Sequence, residues 1–339
     1  MRRAVRYLAV IYLATLLVLW GLIHFDTGGL WQVTLFLFSP RWAVAVPLVI
    51  LIPLTLAFDF RLVFAYVLHG LIILIPILGY RVSWTESADT DPASSLRVMT
   101  YNLGGGAIDI DKVVDLTVAR KIDVLVLQEC PNSLSKPIFE KLGWTRRQQF
   151  NLAIGSPYEL GEMRIVTSQR PEEYNGVAAA FCDLHVVDAR LGNASADAPP
   201  KSRAVRIVDV HFPTFRPAFE QARQLDLDTA TAIAEVGAQY SETVEPVRRE
   251  VEAFQAPTII AGDFNVPVES AYYRNYWSDY QNALSRVGHG LRYTKHTRIH
   301  GVRIDHVLAD GNWSIVSAEV GPGLGGDHRP VIVELALKE

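Results

Sequence analysis

"PTIIAGDFNVP", residues 257–267, runs from strand-forming apolar residues straight into Asp263, Phe264 and Asn265. Short runs rich in Val and Ile, bounded by Gly or Pro, read as strands. A lone Asp-x-Asn after such a run reads most simply as an Asx-type turn. The same ending recurs along the chain, however. "RVMTYNL" (97–103) closes on Asn102, "DVLVLQE" (123–129) on Glu129, and "AVRIVDVHF" (204–212) carries His211 at its end. "RIDHVLA" (303–309) contains Asp305 and His306, and Asp327 and His328 stand just before "PVIVELAL" (330–337). "NLAIGS" (151–156) and "VAAAFCDLHVV" (177–187) read as further strands, with helical patterns over 109–121 and about 218–254.

A buried carboxylate is costly unless it is paired, hydrogen-bonded or bound to metal. Strand ends gathered on one edge of a sheet core form a pocket of carboxylates, carboxamides and imidazoles. Such a set suits a hard divalent cation such as Mg2+, which takes oxygen ligands and retains waters and substrate phosphates. Positions i and i+2 of a strand share a face, so Asp263 and Asn265 are expected on one side and Phe264 in packing on the other. Cleavage of a phosphoester builds negative charge on the non-bridging and leaving oxygens, which a metal and fixed donors stabilise.

The motifs "MTYN", "LQE", "VHF", "GDFN", "RIDH" and "GDHRPV", in that order, resemble the endonuclease/exonuclease/phosphatase superfamily. Deoxyribonuclease I, apurinic endonucleases, inositol polyphosphate 5-phosphatases and neutral sphingomyelinases belong to it. The resemblance spans roughly residues 96–337 and implies an α/β (α+β) fold. That fold is a four-layer sandwich of two packed mixed sheets flanked by helices. The activity implied is metal-dependent hydrolysis of a phosphoric ester by a phosphodiesterase, nuclease or phosphatase, on a lipid, nucleotide or nucleic-acid substrate. Glu129 is then the principal Mg2+ ligand, helped by Asn102 and Asp327, with Mn2+ as a substitute. Asp263 orients or deprotonates the attacking water, and Asn265 hydrogen-bonds the phosphoryl oxygens. His328 contacts the scissile phosphate, with Asp305 fixing its tautomer. His211 matches those branches that carry a second imidazole at the phosphate, and the apurinic endonuclease branch differs there. An inactive scaffold of the same fold should have lost Glu129, Asp263 or His328, and all three are present. Lys295, Arg298 and Arg303, beside Tyr293, read either as the wall of a substrate groove or as a solvated face.

Outside the motifs, half of the 339 residues are hydrophobic, which is high for a wholly soluble protein. The excess lies in apolar runs at 7–24, 42–58 and 62–80, each near the ~20 residues that cross a bilayer as helix. The three runs are expected to make a membrane region over 1–81. A cleaved leader is the other reading of the first run. Arg2, Arg3 and Arg6 favour a cytoplasmic N-terminus. The domain after a polar linker (82–96) is thereby placed outside the cytoplasm of a cell whose inner membrane holds the anchor. Residues 29–40 are expected to lie at the interface, and their crossing would reverse that side. His69 is expected to be a packed neutral imidazole. Residues 82–339 carry 26 Lys and Arg against 34 Asp and Glu, lacking the broad basic footprint of a strong duplex-DNA binder. Cys130 and Cys182 have no metal-type spacing, and pairing between them is left open.

Overall fold

The computed structural model describes residues 1–83, 95–104, 106–168, 176–187, 202–224 and 228–338. The linker expected over 82–96 falls mostly outside these residues.

Helix α1 (Arg2–Phe25) is followed by the seven-residue α2 (Trp31–Leu37) and then by α3 (Val46–Phe58) and α4 (Ala65–Ile72). With the tighter turns beside them, three stretches among the described residues are long and apolar enough to cross a membrane: Arg2–Phe25, Arg41–Phe58 and Phe60–Ile77. Their outer faces stay apolar and exposed, as at Val49, Ile50, Phe64 and Val67, and lipid is the solvent that such a belt suits. At ~1.5 Å per residue α2 is roughly 10 Å long, too short to cross. Asp26 caps the turn before α2 by accepting from Gly28 and Leu30 N–H. His69 is buried in the bundle between the Tyr12 and Tyr66 rings.

Strands β1 (Ser95–Asn102), β2 (Val124–Gln128), β3 (Thr145–Gln149) and β4 (Leu152–Ser156) belong to one mixed sheet. The second sheet takes β5 (Glu159–Leu160), β6 (Arg164–Thr167), β7 (Val177–Val187), β8 (Ser202–His211), β9 (Thr258–Asp263) and β10 (Gln281–Asn282). A small hairpin, β11 (Lys295–His296) and β12 (Gly301–Val302), precedes β13 (Asp305–Ala309) of the second sheet. β14 (Trp313–Val320) and β15 (Val331–Leu337) return to the first, which runs β14-β15-β1-β2-β4-β3, while the second runs β10-β13-β9-β8-β7-β5 with β6 on β7. Helices α5 (Ile110–Ala119) and α6 (Asn132–Leu142) cover the first sheet; α7 (Arg216–Arg223), α8 (Thr229–Glu252) and α9 (Ala271–Trp277) cover the second.

This burial on both faces explains why the strands read as continuous apolar runs. In β2, Val124 and Val126 point between the sheets while Leu125 and Leu127 point at α5 and α6. In β9, Ile259 and Ala261 face inward and Ile260 faces the helices. The pattern read as one helix over 218–254 is two, α7 and α8, with residues 225–227 outside the described set.

Phe264 packs edge-on against Phe212 and Trp277, which stack on each other at 5.7 Å between centroids, all three fully buried. Phe264→Ala is expected to cost about 3–5 kcal/mol of stability, measured by denaturant unfolding. A loss under about 1 kcal/mol would mean that the cluster closes over the gap.

Candidate active site

Strand pairing collects the polar ends. β1 and β2 run parallel with Asn102 beside Gln128, and β8 and β9 run parallel with His211 beside Asp263. β13 is antiparallel to β9 and starts with Asp305 opposite Asp263. β15 is antiparallel to β1 with Val331 opposite Thr100, so the segment carrying Asp327 and His328 lies beyond Thr100, at the Asn102 end. Carboxyl ends of some strands and amino ends of their antiparallel neighbours thus share one edge.

Asp263 is the centre of the cluster and is buried. Asn102 Nδ2 donates to Asp263 Oδ2 and to Glu129 Oε1, at 3.0 Å each, while Asn102 Oδ1 accepts from the Gly104 N–H at 2.8 Å. His211 Nε2 is 3.7 Å from Glu129 Oε1 and 4.0 Å from Asp263 Oδ2. Across the site His328 Nδ1 donates to the Asp305 carboxylate at 2.9 Å, and its Nε2 lies 3.7 Å from Asp263 Oδ2. Lys295 Nζ reaches His328 Nε2 at 2.7 Å and Asp327 Oδ2 at 3.3 Å.

The electrostatics follow from this crowding. Burial, and then the Asp305 charge, push the Asp263 carboxyl up, against the pull of both imidazoles and Lys295. Burial acts the same way on Asp305, but the His328 imidazolium and its hydrogen bond hold that carboxyl below its usual range. Burial opposes charge on His328; Asp305 and Asp263 overcome it and raise the imidazole to about 9. Once the imidazolium forms, Asp327 is the Lys295 ammonium's remaining partner.

Glu129 reaches the cluster from a left-handed backbone, φ 48°, which costs a non-glycine residue of order 1–3 kcal/mol and is retained only where neighbours enforce it. The turn facing it must be bare: a Cβ on Gly104 would lie 2.0 Å from Glu129 Oε2. Gly262 opens β9 to Val210 in the same way, with φ 149° and the Val210 carbonyl 2.0 Å from a Cβ.

Asn265 departs from the expected geometry. The strand ends at Asp263, and Asn265 has φ 52°, so it is not the i+2 position of a pleat. Its N–H caps Asp263 Oδ1 at 2.9 Å and its Nδ2 donates to the Phe212 carbonyl at 2.9 Å. The Asx-type turn is therefore real and serves the site, holding Asp263 in place. Phe264 does point into packing. Of the residues expected to line a groove, Lys295 alone stands at the cluster. Arg298 is exposed at the hairpin tip, and Tyr293 packs against Gly301. Arg303 is buried and donates to Ser285 Oγ at 3.1 Å. The group separates because Lys295 and Arg303 sit on different arms of the hairpin's surroundings.

Two supports had no sequence signal. Thr294 Oγ1 accepts from Ile304 and Asp305 N–H, fixing the start of β13. Gln128 Nε2 donates to Asp209 Oδ1 beneath the site, where complete burial raises the Asp209 carboxyl well above its usual range. His306, beside Asp305, belongs to the core: Nε2 donates to the Val266 carbonyl, and Phe264 and Tyr273 flank its ring.

Among the described residues, Asp263, Asp305 and His328 hold their ligand atoms within 4.8 Å of one another. Both Asp305 oxygens are engaged by His328, however. Of the residues expected to hold a hard cation, Glu129 and Asp327 could still do so: among the described residues Asp327 Oδ1 is buried without a hydrogen-bond partner, and the Glu129 carboxylate is 43 % exposed. Asn102 instead turns its Nδ2 to Glu129 and Asp263 and its Oδ1 to the Gly104 N–H, so it would have to flip its amide to act as a ligand.

The Endonuclease/Exonuclease/phosphatase family model matches residues 99–328. The chain belongs to this family. A search of curated proteins returns no match. Solved structures share the fold: an endonuclease/exonuclease/phosphatase from Beutenbergia cavernae is 17 % identical with TM-score 0.51, over 72 % of both chains. The Neisseria 3' phosphatase NExo, bound to a product DNA hairpin, is 16 % identical with TM-score 0.50, over 72 % of this chain and 100 % of that one. D. rerio TDP2, complexed with a single-strand DNA product, is 13 % identical with TM-score 0.50, over 71 % and 99 %. The matched residues run from within β1 to just short of β15, and the three apolar N-terminal stretches lie outside them.

Gly104→Ala is expected to reduce any phosphoesterase activity by at least about 100-fold, because Glu129 must leave its position; near-normal turnover would show that Glu129 is free to shift. The buried His306 supplies a pH prediction. Burial, and then Arg303, push its imidazole down to about 4, below the ~6.5 of an unfolded chain. The unfolded state therefore binds more protons between these values, so stability rises with pH across that window and is lost as pH falls from about 6.5 toward 4. His306→Gln is expected to flatten that part of a melting-temperature profile, and an unchanged slope would assign the acid loss elsewhere.

Proposed function

We propose that this chain is a membrane-anchored, divalent-metal-dependent phosphoesterase that cleaves a phosphodiester or phosphomonoester by attack of water. The observation that carries this reading is the buried Asp263 carboxylate, set between Asn102, His211 and His328 at one end of both sheets. Glu129 and Asp327, with Asn102 once its amide is flipped, would hold Mg2+ or Mn2+, which would polarise the phosphoryl group. Asp263, with its raised affinity for a proton, takes the proton of the attacking water. Asp305 holds the His328 ring so that Nε2 faces the phosphoryl oxygens and donates to them. Lys295 and His211 add positive charge on either side, while Asn265 keeps Asp263 aimed through its N–H.

The anchor is the bundle over residues 1–81, joined by a linker over 82–96 to the catalytic domain over 97–339. Arg6 pairs with Asp59 at 2.6 Å at one end of the bundle. At the other end Asn275 Nδ2 donates to Thr27 O at 3.0 Å and Trp42 Nε1 donates to Ile299 O at 3.1 Å. These contacts support the reading in which the basic N-terminus is cytoplasmic and the catalytic domain lies on the other side of the bilayer. A nuclease reading has support in the DNA products held by the Neisseria and D. rerio neighbours; the acidic balance after residue 82 weighs against it.

The test uses the full chain in detergent with bis-p-nitrophenyl phosphate, p-nitrophenyl phosphate, plasmid DNA and a phospholipid. Mg2+-dependent turnover is expected, falling about 10³-fold in Asp263→Asn and Glu129→Gln. Lys295→Met is expected to lower kcat about 10²-fold with little change in KM, as for a donor that acts on developing charge. Metal-independent turnover, or turnover that survives Asp263→Asn, would overturn the assignment; no turnover on any substrate would favour an inactive scaffold.

A further inference from the structure

A second charged cluster lies where the bundle meets the catalytic domain. Glu269, just past the "GDFN" turn, is 12 % exposed and faces Arg41 Nη1 and Arg81 Nη2, each 3.5 Å from one of its oxygens. Arg41 comes from the start of the second apolar stretch and Arg81 from just beyond the third. Arg303 approaches from the catalytic domain, and its charge also acts on Glu269. Arg41 is 4 % and Arg303 3 % exposed. Three guanidiniums thus surround one carboxylate. Arg274 and Asp26, nearby, offset each other.

The surplus of two positive charges persists at neutral pH. Burial foremost lowers Arg303, but only to about 10, and the three arginines hold Glu269 below its usual range against burial. Both pairs at 3.5 Å are long for a charge-assisted bond, which closes to about 2.7–2.9 Å. Two donors in the cluster, Arg303 Nη1 and Arg81 Nε, are buried without a hydrogen-bond partner among the described residues. Unmatched buried charge of this kind is costly, and an anion relieves it. Arg81 is 40 % exposed and opens the cluster to solvent. On the membrane-anchored reading proposed above, its position, level with the ends of two of the apolar stretches, is where the phosphates of a bilayer would lie.

We propose that Arg41, Arg81 and Arg303 form a phosphate-binding site at the seam between the bundle and the catalytic domain. Its ligand is a phosphate group, from an acidic phospholipid or free in solution. Among the described residues the site shares no hydrogen bond with Glu129, Asp263 or His328, and it stands whether or not the chain hydrolyses phosphoesters. An occupied site ties Arg41 and Arg81 of the bundle to Arg303, two residues before Asp305, and so stiffens the join.

The test is thermal unfolding of the full chain in phosphatidylcholine nanodiscs, with EDTA throughout so that no turnover intervenes. One arm adds inorganic phosphate against chloride at matched ionic strength, and the other dopes the discs with phosphatidylglycerol. A rise of about 3 °C at saturation is expected in one arm or both, and the responding arm names the source. Arg81→Gln, at a partly exposed position that should fold normally, is expected to weaken the response at least tenfold. Arg303→Met should abolish it. Arg120→Gln, which removes an equal charge from a surface pair with Glu319, should leave it intact. No rise in either arm would overturn the site. So would a rise retained in Arg81→Gln, which would place phosphate at the catalytic centre, or one lost equally in Arg120→Gln, which would reduce it to general attraction.

Discussion

Everything at the catalytic edge depends on keeping one carboxylate, Asp263, in a place that water barely reaches. Burial alone would leave it protonated and inert. It is instead surrounded by the Asn102 amide, the Asn265 N–H and two imidazoles, one of them held positive by Asp305. These partners come from both sheets, so the site exists only when the sheets pack face to face. The apolar residues between them, Val98, Val126, Ile207, Ile259 and Val333 among them, therefore set the distances of the polar atoms at the edge as well as stabilising the fold.

Much of this was legible in the chain. The apolar runs located eight of the strands, because strands buried on both faces need no alternation to be recognised. The polar residues at their ends located the site, since nothing else explains carboxylates finishing such runs. Three kinds of feature were hidden. β3, "TRRQQ", is an edge strand of polar residues with no apolar signature. β14, "WSIVSAEV", alternates around a register shift between Ile315 and Ser317 that blurs its period. The geometry of Asn265 was misread because a period-two argument holds only while the chain remains a strand, and φ turns positive there. The separation of Lys295 from Arg303 was likewise invisible, since it depends on the hairpin between them.

That hairpin links the two halves of the protein. At its root, His296 N–H donates to the Asp327 carbonyl and Arg329 N–H donates to the Thr294 carbonyl, so it pairs with the segment that carries His328. At its tip His300 Nε2 donates to the Phe38 carbonyl at 2.9 Å and the Ile299 carbonyl accepts from Trp42. A span of a few residues therefore runs from the turn at Phe38–Trp42, between the first two apolar stretches, to His328. The motifs alone give no hint of it.

The packing of α2 against the catalytic domain has a practical corollary. Phe38, just past α2, lies against Phe215 and Phe219, with ring centroids 6.0 and 4.9 Å apart, and Gly29 sits so close to Tyr272 that a Cβ there would meet the phenol at 2.5 Å. A fragment cut at the linker would uncover this aromatic patch, leave His300 without the Phe38 carbonyl and leave Arg274 with one of its two backbone acceptors. Its apolar surface would then be free to meet a second molecule, so clumping or low yield of the isolated domain would reflect a missing neighbour and not a defective fold.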